Sequence, residues 1–255
     1  MLVDYSSSED DDKEEVDYKK SLPNNRQVPK LPSALELLGG RISASEDCED
    51  TPDDHEGRIR SFAHERGIWA TFCYIPFLEN SSLISLQVRI KDSIRKALNL
   101  ELTEARDFHV SLTRTVVLRH HWIESFVASL EAKFQHTRKF SIHLNSLRIY
   151  CNEENTRTFV GLTLSEEVFP QLKNLVESCN EVVREFNLKE FYREMSFHIS
   201  ILWIVGNHLE VLRSIENELQ EIFLQYLGEN FDDFVTVVEK IHCKSGNKMH
   251  NFHLL

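Results

Sequence analysis

A chain of 255 residues with 41% apolar content and 16 phenylalanines can bury a sizeable core, in one large domain or two small ones. Its formal charge of −12 argues against a nucleic-acid partner only until it is divided: residues 1–56 carry 16 acidic and 6 basic side chains, which leaves the remainder at −2. No apolar stretch approaches the roughly 20 residues of a membrane span, the first residues turn acidic without the basic flank of a secretion signal, and the five cysteines contain no C-x-x-C pair, so free thiols in a cytosolic or nuclear protein are expected.

Residues 1–56 read as a disordered acidic N-terminal region, because the run from Ser6 to Glu15 has too little apolar surface to offset the entropy of ordering. Its serines, set among acidic residues, are candidate phosphorylation sites. The folded domain is predicted over 57–255, opening with a strand at 69–75 that ends at Pro76. Ser82 is the predicted cap of a helix reaching Asn99, with Leu83, Leu86, Ile90, Ile94 and Leu98 on one face. A strand alternating with period two follows at 108–116, then a helix marked by Trp122, Phe126, Leu130 and Phe134, and a strand at 140–150.

The same order then recurs: a strand at 158–164, a helix at 166–186, a strand at 196–205, a helix at 208–227 and a strand at 234–241. His109 and His198 lie 89 positions apart, as do Trp69 and Thr158. Two copies of one unit explain this, and predict an α+β fold with two pseudo-symmetric antiparallel sheets flanked by helices around a central cleft. The lobes would cover approximately 57–150 and 151–255, with interleaving allowed.

Within each predicted motif strand, alternate residues share a face. His109 and Ser111 therefore point to one side and Phe108, Val110 and Leu112 to the other; His198 and Ser200 oppose Phe197, Ile199, Ile201 and Trp203 in the same way. Cleaving a phosphodiester needs a base, an acid and donors for the non-bridging oxygens. Two imidazoles, which titrate near neutrality, and two hydroxyls can supply them without a metal. The triplet H-x-[ST] arises readily by chance; its signal lies in the matched placement of both copies.

Beyond these motifs, the chain resembles the 2H phosphoesterase superfamily and, more narrowly, its U6 snRNA phosphodiesterase family. The residues that carry the resemblance are His64-Glu65-Arg66-Gly67-Ile68-Trp69-Ala70, His109-Val110-Ser111-Leu112, Val117-Leu118-Arg119-His120-His121-Trp122, Thr156-Arg157-Thr158-Phe159-Val160-Gly161-Leu162, Glu185-Phe186-Asn187-Leu188, Phe191-Tyr192, Ser196-Phe197-His198-Ile199-Ser200 and Cys243-Lys244-Ser245-Gly246-Asn247-Lys248. The resemblance implies a bilobed 2H fold, with His109 as general base, His198 as general acid, and Ser111 and Ser200 holding the phosphate. It further implies that Tyr192 stacks on a terminal base, and that Val110, Glu153, Ser196, Phe197 and Ile199 lie among the substrate contacts. Glu153 stands where a relative has an amide, and Met195 where it has a proline.

The activity so implied is a 3′-to-5′ exoribonuclease acting on the uridine-rich 3′ end of U6 snRNA in the nucleus. It would use no cofactor, metal or membrane, and would leave a 2′,3′-cyclic phosphate that some relatives open to a monophosphate. Arg114, Arg119, Arg157, Lys244 and Lys248 are candidate phosphate contacts, and residues 244–248 resemble a tight hairpin turn. Adjacent His120 and His121 are expected to point different ways, which disfavours a metal site there. Two other readings stand beside this one: a general 2H cyclic phosphodiesterase, and a non-catalytic RNA-binding module, which would have no need of two titrating imidazoles.

Overall fold

The computed structural model describes residues 67–255. The expectations for residues 1–56, and Cys48, His64, Glu65 and Arg66, lie outside them. The elements run β1 (Ile68–Pro76), α1 (Ser81–Leu98), β2 (Thr103–Glu104), β3 (His109–Ser111), β4 (Val116–Arg119), α2 (Ile123–Phe134), β5 (Phe140–Cys151), β6 (Arg157–Leu164), α3 (Phe169–Glu185), β7 (His198–Val205), α4 (Leu209–Arg213), α5 (Glu216–Glu229), β8 (Val235–Val238), β9 (Lys240–Ser245) and β10 (Lys248–His253). Among the described residues no helix is long and apolar enough to cross a membrane.

Helix α1 begins where Asn80, in extended backbone, accepts a hydrogen bond from the Leu83 amide, and ends at Asn99 in the left-handed region. The cap is thus Asn80 and not Ser82, whose hydroxyl instead meets the Asp233 carboxylate. The helix predicted over 208–227 is two, α4 and α5, with the Ser214 hydroxyl turned back on the Val211 carbonyl at the break. The strand predicted over 234–241 also divides, at Glu239, where the chain leaves one sheet for the other.

Two antiparallel sheets result. The first has the order β10-β9-β1-β3, with β4 also on β1; the second has the order β2-β7-β6-β5-β8. Along each path a motif strand (β3 or β7) pairs with an inner strand (β1 or β6), and two further strands follow. In register, Tyr74 and Pro76 oppose Ser111 and His109, while Gly161 and Thr163 oppose Ser200 and His198. Tyr74 therefore corresponds to Gly161, and Thr71 to Thr158. The equal spacing of Trp69 and Thr158 does not mark an equivalent pair, because the two copies differ by two residues between inner strand and motif strand.

The lobes interleave. Strand β5 belongs to the second sheet, and β9 and β10 return to complete the first. The covering helices cross over as well: α1 and α5 pack on the second sheet, and α2 packs on α3 and on β10 of the first. Buried residues of both sheets and of α1, α2, α3 and α5 join one continuous core. Cys73, Cys179 and Cys243 are wholly buried, and these three and Cys151 are free thiols, as composition suggests.

At the β9–β10 turn, Gly246 has φ of 56°, and a Cβ there would come within 2.1 Å of the Trp69 ring. Only glycine fits this hairpin against β1.

Candidate active site

Strands β3 and β7, one from each sheet, pack against each other. A cleft of about 1080 Å³ opens along them, lined by His109, Ser111, Thr113, Arg114, Tyr150, Glu153, Tyr192, Ser196, His198 and Ser200, among others. Alternation in a short regular strand is what delivers each histidine and its serine to the same side.

The two imidazoles are held alike. His109 Nδ1 lies 2.8 Å from the Asp107 carbonyl oxygen, and His198 Nδ1 lies 2.8 Å from the Ser196 carbonyl oxygen. A carbonyl only accepts, so each Nδ1 carries the proton and donates it. That fixes the tautomer and leaves Nε2 of each neutral ring with a lone pair. Asp107 reaches this geometry with φ of 57°, an uncommon conformation that an aspartate tolerates.

The surroundings of the two rings differ. Tyr150, from β5, lies flat on His198 with ring centroids 3.9 Å apart and planes 13° apart, and its hydroxyl is 2.9 Å from the Ser196 hydroxyl. Gly161 makes room for the pair: a Cβ there would come 2.9 Å from Tyr150 and 3.0 Å from His198. Burial pushes the His198 pKa down; the Ser196 carbonyl opposes that shift, and charge on His109 adds to it. Burial also raises the Tyr150 phenol, which stays protonated. His109 instead meets Tyr74 of β1, with centroids 5.1 Å apart.

Across the cleft, Arg114 and Glu153 form a two-pronged ion pair at 2.5 and 2.9 Å, with Lys189 3.7 Å from the same carboxylate. The Arg114 guanidinium also covers one face of Tyr192, 3.6 Å from the ring centroid. Arg114 holds the Glu153 carboxyl below the usual range, and Glu153 in turn raises Arg114.

The predicted residues therefore separate into two groups. His109, Ser111, Glu153, Tyr192, Ser196, His198 and Ser200 line one cleft. Val110, Phe197 and Ile199 do not bring their side chains there: all three are buried in the core, because they occupy the alternate positions of the strands, and only their main chain can meet a substrate. Trp203 departs the other way. A bulge at Ile201, where Val160 pairs with Leu202 but Gly161 with Ser200, shifts the alternation and brings Trp203 to the cleft. Tyr150 and the Asp107 carbonyl were not singled out from sequence; the Phe159-Val160-Gly161 run, with glycine inside a buried strand, marks a close approach of this kind. Among the described residues, no three His, Cys, Asp or Glu side chains are grouped to hold a metal ion.

Comparison with known proteins agrees with this architecture. The HVSL family, described as an uncharacterised conserved protein, matches residues 29–253. U6 snRNA phosphodiesterase 1 of Xenopus laevis is 41% identical over 257 residues, spanning 97% of this chain and 96% of that protein. The Homo sapiens protein of that name is 36% identical over 264 residues, with 97% and 96% covered. Among solved structures, Kluyveromyces marxianus Usb1 has the same fold, with a TM-score of 0.55 at 13% identity, covering 74% of this chain and 99% of that one. With two interleaved sheets, paired H-x-S strands facing one cleft, and relatives that align over nearly its whole length, the chain belongs to the U6 snRNA phosphodiesterase family.

Proposed function

We propose that this protein trims the uridine-rich 3′ end of U6 snRNA in the nucleus as a 3′-to-5′ exoribonuclease, using two histidines and no metal. The observation that carries the reading is the matched fixing of both imidazoles through Nδ1, with Ser111 and Ser200 beside them in one cleft. The family supplies the substrate, since the relatives above are named for it.

In the reaction so proposed, His109 Nε2 takes the proton from the 2′-hydroxyl of the penultimate ribose. The 2′-oxygen attacks phosphorus, the bond to the 5′-oxygen of the last nucleotide breaks, and protonated His198 gives its Nε2 proton to that oxygen. The retained RNA ends in a 2′,3′-cyclic phosphate, and a nucleoside leaves. Ser111 and Ser200 donate to the non-bridging oxygens, whose charge grows in the transition state. Burial lowers the His198 pKa, which makes its protonated form a stronger acid while making that form scarcer, and repulsion from a charged His109 disfavours the unproductive state with both rings charged. The departing base stacks on Tyr192, an exposed ring that Arg114 covers from one side.

The test is incubation of the protein in EDTA with a short RNA ending in uridines and a free 3′-hydroxyl. Beside it run His109→Ala, His198→Ala and an RNA with a 2′-deoxy penultimate sugar. Stepwise 3′ shortening that both substitutions and the deoxy sugar abolish supports the reading. An intact RNA points to the binding module, and cleavage of small cyclic phosphates alone points to the general phosphodiesterase. Shortening that is unchanged by the substitutions removes the two histidines from the mechanism.

A further inference from the structure

The reaction above uses only the β3 edge of one face of the first sheet, where His109 and Ser111 lie. Its covered side holds Cys73, Ile75, Ile241, Cys243 and Phe252. The opposite side is organised by register into two rows. In one row, Tyr74 lies between Ser111 and His242, and His242 opposes Asn251; in the next, Phe72 opposes Lys244, and Lys244 opposes Met249. Phe72 and Tyr74 are stacked with centroids 5.4 Å apart, and His242 meets the Tyr74 ring edge-on at 5.2 Å. These three are half-buried, whereas Lys240, Lys244, Met249 and Asn251 are exposed. The sheet thus leads without a break from the phosphate-holding Ser111, over two aromatic rings, to lysines about 10 to 14 Å away across the strands.

We infer that this face is a binding platform for the nucleotides upstream of the scissile phosphate: the penultimate and preceding bases stack on Tyr74 and Phe72, and Lys244 and Lys240 take the phosphates between them. The inference rests on the proposed reaction, which puts the penultimate ribose at His109 and the leaving nucleoside at His198, so the retained strand lies on the β3 side. Aromatic side chains on the open face of an antiparallel sheet are a recurrent way of holding single-stranded RNA, since every base offers a π-face. Charge is compatible with this: Lys244 lies in the second row and Lys240 beside the first, both exposed, and the carboxylate that acts on Tyr74, Asp107, sits at the His109 end of the face.

The experiment compares RNAs of two, three, six and ten nucleotides that share the same last two residues. For the wild-type protein kcat/KM is expected to rise with length and level off. Lys244→Glu should lower kcat/KM on the ten-nucleotide RNA by about tenfold while changing the dinucleotide by less than about twofold, and Phe72→Ala, whose ring lies 6.3 Å from the His109 imidazole, should cost more on the ten-nucleotide RNA than on the dinucleotide. Lys244→Glu should also flatten the salt dependence on long RNA by about one unit of slope. A second readout needs no turnover: an RNA with 5-iodouridine at the third position from the 3′ end and a 2′-deoxy penultimate sugar is irradiated on the protein and the cross-linked peptide mapped. Cross-links to β1 or β10 support the platform. Cross-links confined to residues 101–106, or rates independent of length in wild type and both variants, overturn it and leave the proposed reaction standing. Failure of the wild type to shorten any of these RNAs removes the reaction, and the platform with it.

Discussion

Tyr150 lies flat on the His198 imidazole, 3.9 Å between centroids, while its hydroxyl meets the side chain of Ser196, the residue whose carbonyl fixes the same ring. One tyrosine thus restrains the proposed acid from two directions. Tyr150→Ala is expected to lower kcat by about tenfold or more with KM little changed, since loss of orientation acts on the chemical step. Tyr150→Phe keeps the stack and should retain most of the activity. Equal loss in both, or a change confined to KM, would assign Tyr150 a different role; the pH profile of kcat separates the cases, because the alanine variant should also move the acid's pKa upward by relieving burial.

Gly161 and Gly246 make opposite predictions. A Cβ at Gly161 runs into Tyr150 and His198, so Gly161→Ala should lower kcat with little change in Tm. A Cβ at Gly246 runs into Trp69 from a backbone at positive φ, so Gly246→Ala should destabilise the fold by about 2–4 kcal/mol. Denaturant titration beside steady-state kinetics distinguishes the two.

The Arg114–Glu153 pair sets the charge around Tyr192. In Glu153→Gln the guanidinium keeps one acceptor but loses its counter-charge, and KM for RNA should fall by about twofold to fivefold with a steeper salt dependence. Arg114→Ala should raise KM, and Arg114→Met should restore part of the loss by packing on the ring. Unchanged KM in all three would separate this pair from substrate binding.

The pH dependence of stability has a definite sign. Burial lowers the pKa of His198, and burial with Lys240 and His253 lowers that of His242, so both take up protons more readily when unfolded. Their contribution is complete above the unfolded value of about 6.5 and is lost as pH falls through the lower folded values. Tm should therefore decline between pH 7 and pH 5, and the decline should be shallower in a His198→Asn, His242→Asn double variant. An unaltered slope would place the titrating groups elsewhere.

Much of this site was legible in the sequence because strand alternation is a local rule: His109 with Ser111 and His198 with Ser200 could be assigned to a face from spacing alone. The same rule misplaced Trp203, since the extra residue at Ile201 is visible only in its pairing with β6. Tyr150 escaped notice because its partner is 48 positions away, and nothing in its own neighbourhood distinguishes it from a core tyrosine. Arg114 read as a candidate phosphate contact, and its pairing with a carboxylate from a distant turn was not visible in the sequence. The order of elements announced a duplication, but order does not say which sheet an element joins, and β5, β9, β10 and helix α1 cross to the other half.

That exchange of strands constrains how the protein comes into being. Strand β1 pairs with β3 and β4 along one edge and with β9 along the other, and β9 is held by β10, the last strand in the chain. A nascent polypeptide that has emerged only as far as β8 carries both histidines yet has no finished first sheet on which to set His109. The sheet that carries His198 has all its strands by β8, so the half of the cleft that carries His109 is the last to be completed, and a chain that ends before β9 lacks the first sheet's outer strands.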